Sequence, residues 1–202
     1  MEIEIKEIRK KDYKKAIQYA IEGMQFNKFL DNKFLLHLYG RYFWYLELTK
    51  STQIVAAYIE DELAGVLLAD IKQEEKKYKS FFKSLYIKMF EFMQNILYKE
   101  VALKYNGVNK IMFEEYKKKN NPSGEIKFFA VNPNITCKGI GSKILEEFER
   151  REKGKQIFLF TDEACSYKFY ENRGFERVGE KEVSLDLKSK VNLKCFLYSK
   201  NI

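Results

Sequence analysis

The hydrophobic positions of this chain change period several times, and each change predicts an element. Residues 2–8, EIEIKEI, alternate apolar and charged, with Ile3, Ile5 and Ile8 partly inward, which predicts a strand. Asp12 then stands where a helix cap belongs, ahead of Ala16, Ile17, Ala20 and Ile21 at helical spacing. Residues 29–48 predict a second helix, unusually aromatic from Phe29 onward, with Gly40 marking a break inside it. Two β-branched runs, 53–59 and 63–71, flank Glu60-Asp61-Glu62 and predict a hairpin. Residues 125–131, EIKFFAV, predict another strand, which Asn132-Pro133-Asn134 ends because proline cannot continue a ladder. Ile140, Ile144, Leu145 and Phe148 fall on one face of a following helix. A strand at 157–161, a short helix, and two strands at 175–187 and 191–198 joined by Lys188-Ser189-Lys190 close the chain.

Strand alternation disappears between residues 72 and 121. There Phe81, Leu85, Met89, Met93 and Ile96 follow helical spacing, with Phe82, Tyr86 and Phe90 beside them. Asn106-Gly107 breaks the pattern, and a shorter helix, IMFEEYKKK, follows. Such an insert either covers the sheet as an amphipathic pair, makes a homodimer contact, or forms a lid over a substrate; core helices are commoner than lids. The order of elements argues an α/β fold of the α+β kind. It is a mixed sheet with helices on its faces, in one domain spanning 1–202 with a helical insert at 72–121.

Composition narrows the function classes. The 202 residues are 46% hydrophobic and 33% charged, as in a globular protein with a sizeable core. A formal net charge of +8 admits nucleic acid, an acidic protein or a phosphorylated cofactor, but no like-charge run forms an interaction tail. A lysine-rich solvated surface explains it as well, so nucleic acid is not expected. Cys137, Cys165 and Cys195 are far apart and odd in number, without C-x-x-C spacing, which suggests neither a zinc site nor a disulfide framework. A reducing, cytoplasmic setting fits. The N-terminal residues lack an apolar signal core and no apolar run reaches membrane-spanning length, so no membrane partner is expected.

The stretch 125–149 carries the chemistry. A strand runs into Cys137-Lys138-Gly139-Ile140-Gly141-Ser142 and then a helix, so bare N–H groups and the positive helix end point at one place, an anion-binding device. It is neither a dinucleotide fingerprint, since position 144 is isoleucine rather than glycine, nor a P-loop.

Thr136-Cys137-Lys138-Gly139-Ile140-Gly141 resembles the acetyl-coenzyme A loop of the GNAT superfamily of N-acetyltransferases, Q/R-x-x-G-x-G/A, with Thr136 departing from the usual Gln or Arg. Downstream, Tyr170-x-x-x-Gly174-Phe175 is similar to that family's Y-x-x-x-G-F segment. The resemblance is firm over 124–180, extends to the 53–71 hairpin and is loose elsewhere. It implies a mostly antiparallel twisted sheet, with the insert placed before the coenzyme-binding strand. It also implies an acetyl-CoA-dependent N-acetyltransferase that transfers to a primary amine, small-molecule or peptide, by direct attack in a ternary complex, without a metal. In that reading the backbone of residues 137–142 binds the pyrophosphate, while Phe129, Ala130 and Val131 hold the thioester and pantetheine arm.

Two side chains are candidates for proton transfer. Tyr170, at the family position, would return a proton to the leaving thiolate, since a phenol titrates near a thiol's range. Glu125 matches a glutamate of the histone-acetylating branch in an E-I-x-F-x-A-V string and would take the amine's proton, directly or through water. The alternatives are a core tyrosine and a solvated strand-end glutamate. A non-catalytic acyl-CoA-binding or sensing protein on the same fold is the second functional class. His37, the one histidine, reads as structural, and Cys165, without a histidine nearby in sequence, as buried packing. The sequence does not identify the acceptor.

Overall fold

In a computed structural model describing residues 2–28, 30–97, 99–135, 137–186 and 190–202, the apolar runs assemble as one seven-stranded sheet. In chain order the elements are β1 (Glu4–Lys6), α1 (Tyr13–Gly23), α2 (Lys33–Lys50), β2 (Gln53–Ile59) and β3 (Glu62–Ile71). Then come α3 (Phe81–Leu97), α4 (Lys99–Lys117), β4 (Gly124–Val131), α5 (Ile140–Arg151), β5 (Gln156–Asp162), α6 (Tyr167–Glu171), β6 (Glu176–Asp186) and β7 (Lys190–Asn201). Spatial order is β1-β2-β3-β4-β5-β7-β6, antiparallel throughout except for β4 beside β5. The mixed, mostly antiparallel sheet expected above is therefore present. Phe29, Thr136, Leu187, Lys188 and Ser189 lie outside the described residues, as do the side chains of Met93 and Ile96.

Three apolar clusters fix the layers. On one face α5 lies across the sheet, and Ile140, Ile144, Leu145 and Phe148, all buried, pack on Val55, Leu67, Ile126 and Leu159. Burying four such side chains contributes about 1.5–3 kcal/mol each. The other face is shared. α1 and α2 cover β2, β3 and the end of β4, with Trp44, Leu48 and Phe128 fully or almost fully buried. α4 covers β5, β7 and β6 through Met112 and Tyr116.

Several local expectations change. The first strand is only Glu4–Lys6. Asp12 stands at the start of α1 but does not cap it; its carboxylate accepts from Arg9 Nε at 2.6 Å and from Tyr58 OH at 3.0 Å. Arg9 also holds the β2–β3 turn, donating from Nη1 to Asp61 Oδ1 and from Nη2 to Asp61 O, both at 2.6 Å. That turn needs φ above zero at Glu60 and Asp61, the geometry that matches the twist of a two-residue hairpin. Asn32 caps α2, accepting from Phe34 N and Leu35 N. α2 then runs unbroken through Gly40, where Ile21 of α1 packs so closely that a Cβ would lie 2.6 Å from its Cγ1. Asn106-Gly107 breaks nothing either: α4 runs through it, because Val108, Met112 and Tyr116 bury against β6 and β7 and outweigh the glycine's cost of about 1 kcal/mol.

The insert helices take different partners. α3 leans on α2, with Phe90 stacked 4.6 Å from Tyr42, Tyr86 edge-on to Tyr45 at 5.6 Å, and Tyr86 OH donating to Leu38 O at 3.0 Å. Phe81, Leu85 and Met89, the stripe expected to pack, instead face outward.

One irregularity positions everything that follows. Leu68 pairs with Phe128, but Ala69 pairs with Ile126, so Lys127 is an extra residue on β4, a β-bulge. The bulge flips the alternation: Ile126 and Phe129 pack on the α5 side, Phe128 and Ala130 on the α1–α2 side.

Replacing Gly40 by valine forces atoms into the α1–α2 contact without a cavity to receive them. We expect a loss of about 1–3 kcal/mol, read as a lower urea midpoint at unchanged slope.

Candidate active site

β4 and β5 pair only through Gly124, Glu125 and Ile126 against Ile157, Phe158 and Leu159. Beyond Ile126 the strands part, and β5 continues paired to β7 alone as far as Asp162. Asn132 N donates to Ala64 O at 2.8 Å, so by the alternation of an antiparallel ladder Ala130 and Phe128 direct their backbone groups toward β3. Phe129 and Val131 therefore turn theirs into the gap. Of the three predicted thioester-strand residues, Phe129 and Val131 carry unladdered polar groups there, while Ala130 supports them from the β3 side.

The wide end of the gap meets the start of α5. Gly139 is the N-cap, at φ 94°, a conformation costly for any residue with a Cβ, and no atom lies within 4 Å of where a Cβ would be. Lys143 N is the first to bond back, to Gly139 O at 2.9 Å. Among the described residues, no backbone acceptor takes the N–H groups of Cys137, Lys138, Gly139, Ile140, Gly141 or Ser142. Open space, free donors and a helix dipole meet there, so the residues present fit a diphosphate group. Ile140 itself is buried in the α5 cluster and contributes only its backbone. Gly141 admits the ring of Phe169, which would stand 3.3 Å from a Cβ.

Sequence reading missed Arg173. Its guanidinium lies 5.1 Å over the Phe169 ring and donates to Ser142 Oγ, bringing a cation to the α5 N-terminus from the end of α6. The signal was present in the segment that supplied Tyr170 and Gly174, but sequence alone does not show which way Arg173 turns.

Tyr170 joins this group. Its ring stands 6.5 Å from Phe129, 5.7 Å from Phe175 and 6.3 Å from Tyr198. Burial among these rings pushes its phenol well above the ordinary tyrosine range, with Cys165 adding to the shift, so the group stays protonated at neutral pH. Its neighbour Glu171 accepts from Tyr198 OH at 2.7 Å and from Arg177 Nη2 at 2.6 Å, which ties α6 to β7 and β6. The structure thus brings Phe129, Val131, the 137–142 loop and Tyr170 together.

Glu125 is apart from them. It sits at the narrow end of the gap, where β4 and β5 still pair, about 13 Å along the strand from Phe129. Lys127 Nζ donates to Glu125 Oε1 at 3.0 Å and lies 3.7 Å from Glu47 Oε2 of α2. That second approach is an ion pair beyond hydrogen-bond reach, and among the described residues Glu47 Oε2 has no hydrogen-bond partner. Burial raises the Glu47 carboxyl above its usual range, an effect Lys127 partly offsets. Burial also pulls on Lys127, but Glu125, Glu47 and Asp70 together hold its ammonium above the usual lysine range.

At the wide end, Gln25 Nε2 donates to Ala164 O, carrying the chain after α1 across to the segment beyond β5. Beneath it Tyr105 OH donates to Asp162 Oδ2 at 3.2 Å. Burial first, and Asp162 second, push the Cys165 thiol up to about 12, which leaves it protonated and inert at neutral pH, as a packing role requires. His37 is exposed on α2.

Comparisons with known proteins meet this geometry. Residues 97–177 match the model of the acetyltransferase (GNAT) domain, a span running from α4 through β4, the loop, β5 and α6. Over that span the chain is similar to a GNAT acetyltransferase domain. Its fold is shared along the whole length with acetyltransferase structures of low identity. The PaiA N-acetyltransferase of Thermoplasma acidophilum, solved in complex with coenzyme A, has a TM-score of 0.53 at 16% identity, with 100% of each chain covered. A protein described as histone acetyltransferase HPA2 and related acetyltransferase, from Corynebacterium glutamicum, reaches 0.58 at 13%, covering 100% of this chain and 98% of that one. An N-acetyltransferase from Staphylococcus aureus Mu50 gives 0.54 at 12%, covering 100% and 99%. No curated protein matches the chain. Among the described residues no helix is long and apolar enough to cross a membrane.

Replacing Lys127 by methionine strands two carboxylates, one of them nearly fully buried. We expect a loss of about 3 kcal/mol at pH 8. The sign follows from the charge: with the cation gone, both carboxyls are better neutral, so the deficit narrows as pH falls toward 5. Urea midpoints of the variant and parent at the two pH values check both statements.

Proposed function

We propose that this protein is an N-acetyltransferase of the GNAT kind that moves an acetyl group from acetyl-CoA to a primary amine of a small molecule or peptide, by direct attack in a ternary complex. The observation that carries the reading is the convergence on one gap of the unladdered backbone of Phe129 and Val131 and the N–H groups of the Gly139 loop, which no backbone acceptor takes among the described residues. Acetyl-CoA, when bound, supplies an activated thioester. The chain's own groups do the rest.

The backbone N–H groups of Cys137 through Ser142 hold the diphosphate, and Arg173 adds a cation at the same helix end. An N–H turned into the gap from Phe129 or Val131 polarises the thioester carbonyl where charge develops. Tyr170, protonated and beside Phe129, gives its proton to the leaving sulfur. Glu125 takes the amine's proton; its position at the narrow end of the gap requires a water to carry that proton.

Two experiments test the proposal. Coenzyme A at saturating concentration is expected to raise the melting temperature of the parent and of Tyr170→Phe alike, while Tyr170→Phe loses turnover about 100-fold or more, measured by release of free thiol from acetyl-CoA with a panel of amines. Binding without turnover in the parent, across the panel, would identify a coenzyme-binding protein instead. Glu125→Gln is expected to lower kcat by about 100-fold and to remove the acid limb of the pH–rate profile while KM for acetyl-CoA stays unchanged.

A further inference from the structure

The strongest unexplained feature lies outside the gap, on α3. Its inner side is satisfied: Tyr86 and Phe90 pack on α2, and Ile87 is buried. Its outer side is apolar and uncovered. Phe81 is 75% exposed, Phe82 82%, Leu85 55%, Met89 55% and Phe92 70%. At the area of such side chains this is about 600–700 Å² of apolar surface on one helix, at or beyond the largest patch of an ordinary monomer.

We propose that the outer face of α3 is a dimer interface whose occupant is α3 of a second copy of this chain. Three observations select that occupant. Phe82, Leu85, Met89 and Phe92 are spaced three, four and three apart, the a/d seam of a helix that packs on another helix. The seam also reads alike in both directions. About a twofold axis near Ile87, Phe82 meets the partner's Phe92 and Leu85 meets the partner's Met89, large against large and medium against medium. Such a surface is self-complementary, as an isologous contact requires. Finally, the exposed area approaches the roughly 800 Å² per partner of a stable interface.

The charges beside the seam fit a protein partner better than an anionic lipid surface. Lys88 and Glu91, both exposed, give mixed signs in place of a continuous cationic belt. Lys88 lies nearest the axis and meets its own copy there; its long stem lets the charge reach water. The outer face of α3 includes none of the residues placed in the β4–β5 gap, so the dimer does not rest on the acetyltransferase reading.

Sedimentation equilibrium of the purified chain over a range of concentrations tests the proposal. The parent is expected at twice the monomer mass, and Leu85→Glu and Met89→Glu at the monomer mass. Because both positions are already exposed, the variants are expected to keep the parent's circular dichroism and urea midpoint at matched monomer concentration. A parent that stays monomeric at every concentration overturns the proposal, as does a dimer that survives both substitutions. Co-sedimentation of a monomeric parent with phosphatidylserine vesicles, lost in Leu85→Glu, would assign the face to lipid and overturn it too.

Discussion

Lys127 is one residue more than the β3–β4 ladder can hold, and the site depends on that surplus. β4 must pair with β3 along its whole length and also leave β5 after three residues. A regular strand would keep every second side chain on one face. The bulge instead lets Ile126 and Phe129 serve the α5 core while Phe128 and Ala130 serve the α1–α2 core. With both layers filled, the backbone of Phe129 and Val131 is left facing a gap that no strand fills. Backbone polar groups so placed need a partner, and this is how a sheet acquires a ligand-binding edge in its middle.

The two ends of the gap differ in charge. At the wide end the α5 dipole, the N–H groups of residues 137–142, which no backbone acceptor takes among the described residues, and Arg173 concentrate positive potential around Gly139. At the narrow end two carboxylates share one lysine, and among the described residues one of their oxygens has no donor. An anion is drawn to the first and a cation to the second, along a strand whose rise separates them by about 13 Å.

Much of this was legible in the sequence, for physical reasons that vary by element. The α5 stripe and the glycines at its start follow from periodicity and from the N–H groups any helix start exposes, and both appear where expected. Tyr170 was placed by its segment, and its ring does reach Phe129. The bulge was not legible, because an extra residue in a strand leaves the same composition and nearly the same alternation. Gly40 and Asn106-Gly107 carry local signals for breaks that long-range packing overrides. Arg173 and Glu47 owe their positions to contacts made 31 and 80 residues away, with Ser142 and Lys127. The outward stripe of α3 shows the limit of periodicity most plainly: it reveals that a helix has an apolar face, not what that face meets.

The insert also bears on how the molecule holds its shape. The sheet is thinly joined where β4 leaves β5, since three paired residues join its two halves along that line. α3 grips the half covered by α2, while α4 grips the half built from β5, β7 and β6. Consecutive helices of one chain therefore fasten to opposite banks of the same seam. A ligand that enters between the strands sits between the two groups of strands that these helices cover.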